Sequence, residues 1–115
     1  ADAIEHINAH ATATDAGDIA ESKATWSIFE DRVPVSALKG YMGHTLGGCG
    51  AIESAATIAM MHQGFMAATR NLERPDPATA PLQHIIGEPR AQRFQIGMNN
   101  NFAFGGINTS LIFRK

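Results

Sequence analysis

One cysteine, Cys49, is the only thiol in this 115-residue chain. A single thiol closes no internal disulfide, which fits a reducing cytoplasm. No apolar run approaches the ~20 residues a membrane span needs, and no signal peptide opens the chain. Charge is sparse: nine Lys and Arg against eleven Asp and Glu leave a net charge of −2, without the basic surplus that would point to nucleic acid or an anionic membrane as partner. No HExxH occurs and no His or Cys pair has ligand spacing, which argues against zinc. The glycine-rich segments Thr45–Gly50 and Phe104–Gly106 lack the Walker and dinucleotide patterns, so neither reads as a phosphate cradle. Neither a repeat nor a disordered tail is present, and no cofactor or metal is expected.

What is present suits one packed domain over residues 1–115, 44% hydrophobic and 17% charged. The chain opens on Ile4-Glu-His-Ile7, already strand-like, a start that reads as the middle of a protein. Residues 3–9 predict a strand ending at His10. Asp15 or Asp18 is expected to cap a helix reaching residue 29, with Asp18-Ile-Ala-Glu21 at capping-box spacing and Ala20, Ala24, Ile28 and Phe29 facing the core. Val33–Ser36 predicts a short strand with Pro34 at its entry. A second, Ala-rich helix over 49–63 is apolar on almost every side and is expected to be buried between layers. After Gly64 an extended piece to Thr69, a loop over Asn71–Pro81 and a brief strand at Ile85–Ile86 follow. Phe94–Met98 and Thr109–Phe113 read as an antiparallel hairpin with Asn99–Asn108 as its wide loop. The order predicts an α/β fold with a mixed five-stranded sheet.

Two histidines stand out, each among small residues: His10 in Asn8-Ala-His-Ala-Thr-Ala-Thr14 and His44 in Lys39-Gly-Tyr-Met-Gly-His-Thr-Leu-Gly-Gly48. Each reads as following a strand, and strand ends are where α/β folds gather their chemistry. His6, His62 and His84 read as ordinary polar residues. Cys49 has two readings. At a helix N-terminus five residues after His44 it could be an activated nucleophile; the favoured reading is a small residue at a tight contact. Lys39, read as ending a strand, either pairs with Glu53, the one formal charge in the Ala-rich helix, or is solvated. Phe102–Asn108 reads as a backbone device that brings main-chain N–H groups to a substrate carbonyl, with Phe104 as an apolar gate. Asn108-Thr-Ser110 matches a glycosylation sequon by chance.

Together these segments resemble the C-terminal part of an elongating β-ketoacyl-acyl-carrier-protein synthase. The likeness runs through Asn8-Ala-His10 with Thr12, Thr14, Asp18 and Glu21, then Val35-Ser36 to Lys39, Gly43-His44 with Leu46-Gly47 and Gly50, Glu53, Asn71-Leu-Glu73 with Pro75-Asp-Pro77, and Phe102-Ala-Phe-Gly-Gly-Ile-Asn108. The resemblance implies a thiolase-like fold of two α/β halves, this chain supplying most of the second. It implies decarboxylative condensation of malonyl-carrier protein with an acyl thioester, in fatty acid or polyketide synthesis in the cytoplasm. His10 and His44 match the histidine pair that stabilises the enolate, Lys39 and Glu53 the ion pair that supports it. Thr12 and Thr14 match residues that bind phosphopantetheine, and Phe104 the gate and oxyanion residue. The implied partners are acyl carrier protein and the synthase's N-terminal half, in a homodimer when intact. That half holds the nucleophilic cysteine, so the chain by itself is expected to be inactive. Cys49 falls where the family commonly has alanine. Ala11, Ala13, Ala103 and Ile107 depart from the usual Gly, Ser, Gly and Thr, and Ala103 is expected to strain its loop if that glycine takes positive φ. A degradative thiolase would need a second cysteine near the C-terminus, and an initiating synthase would replace one histidine by asparagine. A chain-length factor usually loses the histidine pattern. The rival reading is a catalytically silent module that only pairs with a ketosynthase chain.

Overall fold

The computed structural model describes all residues 1–115. Strand β1 (His6–Asn8) is central. It pairs in parallel with β2 (Pro34–Ser36), Ile7 opposite Val35, and with β4 (Ile96–Phe102), Ile7 opposite Met98. Parallel β3 (Gln83–His84) extends one side and antiparallel β5 (Asn108–Arg114) the other, giving a mixed five-stranded sheet in the order β3-β2-β1-β4-β5. Side chains alternate across a sheet. Ile7, Val35 and Met98 therefore share one face with Val33 and with Phe29 of helix α1 (Asp15–Phe29). His6, Asn8, Gly97 and Asn99 turn to the other face, covered by helix α3 (Cys49–Gln63). Gly97 permits that close approach, since a Cβ there would stand 3.0 Å from Phe94 and 3.2 Å from Thr57. No helix is long and apolar enough to cross a membrane.

Several sequence expectations shift. Helix α1 does not bury Ala20, Ala24 and Ile28; its inner face is Glu21, Ser22, Thr25 and Phe29. Glu21 and Ser22 are inside because they serve neighbouring loops. Ser22 Oγ, for example, accepts the Ala80 N–H at 3.0 Å. Asp18 and Glu21 form no capping box: Thr14 is the N-cap, and Glu21 reaches instead to the end of β1. Helix α3 has the expected limits but is covered on one side only. Glu53, Ser54, Thr57, Met60 and Met61 face the sheet, while Ile52 and Ile58 are 44% and 38% exposed, because the chain folds into a single sheet layer. The third strand is Gln83–His84, not Ile85–Ile86, although the Ile85 N–H still donates to the Val35 carbonyl at 3.0 Å. Strand β4 runs through Asn99–Asn101, leaving residues 103–107 as the hairpin loop. Positive φ falls there on Gly105 and Gly106, so Ala103 carries no such strain; Ala11 (φ 36°) and Ala13 (φ 58°) carry it, beside His10.

His6 gives the fold a pH dependence. Its ring is fully buried, with Nε2 2.9 Å from Ser36 Oγ and the centroid 5.0 Å from that of Phe94. Burial, with Arg90 adding to it, lowers its pKa from 6.5 to about 4. The unfolded chain therefore takes up a proton near pH 6.5 that the folded chain refuses until about pH 4. Stability tied to His6 is fully present above pH 6.5 and is lost as pH falls toward 4. The loss is about 3 kcal/mol. Denaturant titrations across that window are expected to show a weaker pH slope for His6→Gln than for the parent. Equal slopes would exclude His6 as the source.

Candidate active site

The site gathers where β1 ends. There Glu21 takes two backbone donors, the His10 N–H on Oε1 and the Ala11 N–H on Oε2, each at 2.8 Å. Burial pushes the Glu21 carboxyl up, and the N–H groups of Ala11 and His10 oppose that shift. This latch holds the turn through the positive-φ alanines and so aims the His10 ring. His44 arrives differently from the sequence expectation. It follows not a strand but the short helix α2 (Lys39–Met42), whose first residue is Lys39, and the turn at Gly43 has φ 74°. A 3₁₀ turn, Leu46–Gly48, then leads into α3.

The two imidazoles meet edge to face, with centroids 5.2 Å apart and planes at 86°. His10 is 8% exposed and also rests against Phe102 at 5.6 Å, whereas His44 is open to solvent. His44 Nδ1 accepts the Leu46 N–H at 3.2 Å, which assigns the proton of the neutral ring to Nε2. Burial lowers the His10 pKa, the charges of Lys39 and His44 lower it further, and Glu53 opposes them. His10 is thus a neutral imidazole at pH 7. Beside this pair, Lys39 Nζ donates to Glu53 Oε1 at 2.7 Å, with the two side chains 7% and 0% exposed. Asn101 Nδ2 donates to the other oxygen, Oε2, at 2.8 Å.

Cys49 lies in the same region, buried, its Sγ 3.8 Å from Asn101 Nδ2. Burial pushes its thiol pKa up, and the Glu53 charge adds to the shift. The thiol is protonated at neutral pH and is a poor nucleophile, as a small packing residue would be. Thr12 and Thr14 sit on the loop after His10 with their hydroxyls 3.1 Å apart and toward solvent. Phe104 is not brought to the histidines: it is 96% exposed at the hairpin tip, and the ring against His10 is that of Phe102. No three His, Cys, Asp or Glu side chains converge to hold a metal ion. A cavity of about 550 Å³ opens between α1, the ends of β1 and β2 and the loop around Leu72–Asp76, and neither histidine lines it.

Sequence reasoning missed Phe102, the latching role of Glu21, and the side chains of Asn99 and Asn101. The signal for the asparagines was the two-residue spacing Gly97, Asn99, Asn101, which puts all three on one face once the segment is a strand.

The family model for the β-ketoacyl synthase C-terminal domain matches residues 1–73. The chain is 39% identical over 119 aligned residues to a putative mitochondrial 3-oxoacyl-[acyl-carrier-protein] synthase of Schizosaccharomyces pombe, covering 97% of this chain and 28% of that protein. Among solved structures, a β-ketoacyl synthase from Burkholderia phymatum superposes with a TM-score of 0.96 at 58% identity, over 99% of this chain and 28% of that one. A type II polyketide synthase ketosynthase, solved with its acyl carrier protein and bound to the hexaketide, superposes at 0.90 with 27% identity, over 97% and 28%. The chain therefore spans little more than a quarter of each of these proteins.

Proposed function

The chain belongs to the β-ketoacyl synthase C-terminal domain family, and from that membership we propose that it supplies the histidine half of a condensing site. In the proposed reaction a malonyl thioester on acyl carrier protein loses CO₂. The resulting carbanion then attacks an acyl group held on a cysteine of the synthase's N-terminal half and displaces that thiolate, forming a 3-oxoacyl thioester. The chain's own cysteine is protonated and buried, so the acylated thiol comes from that other half.

The observation that carries this reading is the edge-to-face pair His10 and His44 beside a buried ion pair. Decarboxylation puts negative charge on the thioester oxygen, and donors fixed in advance at that position stabilise it without reorganising. With Nδ1 occupied, His44 presents Nε2–H outward, while the neutral His10 can donate without releasing its proton. Lys39 adds positive charge nearby, and Glu53 holds it in place. Thr12 and Thr14 offer hydroxyls to the amides of the phosphopantetheine arm. The loop of Gly105 and Gly106 lets Phe104 swing as a gate and offer its N–H to the acyl carbonyl. The whole synthase would act as a homodimer.

The test is turnover of malonyl-carrier protein by this chain alone and joined to the N-terminal half of a β-ketoacyl synthase. No decarboxylation or condensation is expected alone, and both are expected once the halves are joined. Turnover by the chain alone at the rate of intact synthases would sink the reading.

A further inference from the structure

Three asparagine amides form a continuous chain in the layer between the sheet and α3. Asn8 Nδ2 donates to Asn99 Oδ1 at 2.8 Å. Asn99 Nδ2 donates to Asn101 Oδ1 at 3.2 Å and to Ser54 Oγ at 3.0 Å. Asn101 Nδ2 then donates to Glu53 Oε2 at 2.8 Å. The chain ends on the carboxylate whose other oxygen takes Lys39 at 2.7 Å. Gly50 makes room for it, since a Cβ there would stand 2.9 Å from Asn101 Oδ1. An amide has a distinct donor end and acceptor end. With Oδ1 engaged by Asn99, Asn101 can face Glu53 only with its NH₂ group.

We propose that Asn101 is a positioning residue that clamps the Glu53 carboxylate against Lys39 and so sets the charge felt by His10, with Asn99 and Asn8 fixing the direction of its amide. The proposal rests on the histidine reading above, but its test needs no turnover. The titratable groups around His10 are Glu21 from α1, Lys39 from α2, His44 from the loop that follows, and Cys49 and Glu53 from α3. Asn101 is uncharged, so its loss reaches His10 through Glu53. Lys39 lowers the His10 pKa and Glu53 raises it. Without the Asn101 donor on Oε2 the carboxylate is held by Lys39 at Oε1 alone, and its drift from that place leaves the Lys39 charge less opposed at His10, so the His10 midpoint falls.

The experiment is an NMR titration of the His10 Cε1 proton in the full 115-residue chain. In Asn101→Ala the midpoint is expected to fall by about half a pH unit or more. Gly50→Ala is the second variant and carries the test if Asn101→Ala does not fold. It favours the helix by propensity, keeps Asn101 and displaces its amide, and is expected to shift the midpoint the same way. An unmoved or raised midpoint in either folded variant overturns the proposal. An inactive joined enzyme with a lowered midpoint would remove the proposed reaction and leave the clamp standing, whereas an active one with an unmoved midpoint would remove the clamp alone.

Discussion

Replacing His44 with alanine, in the chain joined to an N-terminal half, is expected to lower malonyl decarboxylation by about 100- to 1,000-fold. That range is the usual cost of removing one donor aimed at a developing oxyanion. His44 is solvent-exposed, and the one hydrogen bond it makes is to the Leu46 N–H, itself at the surface. Its loss should therefore change folding stability by no more than about 0.5 kcal/mol. A large loss of rate with an unchanged melting temperature is what separates a catalytic donor from a structural residue. The pH profile adds a second readout. Because burial and neighbouring positive charge lower the His10 pKa, decarboxylation should persist to a lower pH than an ordinary histidine would allow. A His44→Ala enzyme that retained a third or more of the parental rate would remove His44 from the mechanism.

The sequence was most legible where a local signal sufficed. A strand shortly before His10, observed as His6–Asn8 inside the expected 3–9, and the limits of α3 follow from short-range pattern, and the motif likeness selected the residues that the structure brings together as His10, His44, Lys39 and Glu53. It was least legible where long-range partners decide. Asparagine disfavours strands, so Asn99–Asn101 reads as a loop until Asn8, Ser54, Glu53 and Ser110 are there to hydrogen-bond it. The inner face of α1 was misjudged for the same reason. Apolar periodicity selects Ala20, Ala24 and Ile28, but the polar stripe pays its desolvation by holding loops distant in sequence. Ala103 was a conditional expectation about backbone, and the hairpin places its positive φ two residues later.

Glu53→Ala is the prediction with the largest expected effect on stability. It removes the acceptor for a lysine side chain only 7% exposed and for the Asn101 amide. Breaking one partner of a buried pair strands the other charge, at a cost of about 3–5 kcal/mol. Domains are stable by about 5–15 kcal/mol, so the melting temperature should drop by on the order of 10–20 °C. The expectation reverses when the lysine is neutralised as well. Adding Lys39→Met to Glu53→Ala removes the stranded ammonium and fills part of the space, so the double variant should be more stable than the single one. A Glu53→Ala protein within about 1 kcal/mol of the parent would mean that water reaches Lys39 and that the pair is not the buried unit its exposure indicates. The double variant also decides what the pair is for. An ion pair that is expensive to bury is weak evidence of stabilisation. If the neutral pair restores folding but not decarboxylation in the joined enzyme, the charge beside His10 serves the chemistry, and Glu53 is needed chiefly to hold Lys39 in place.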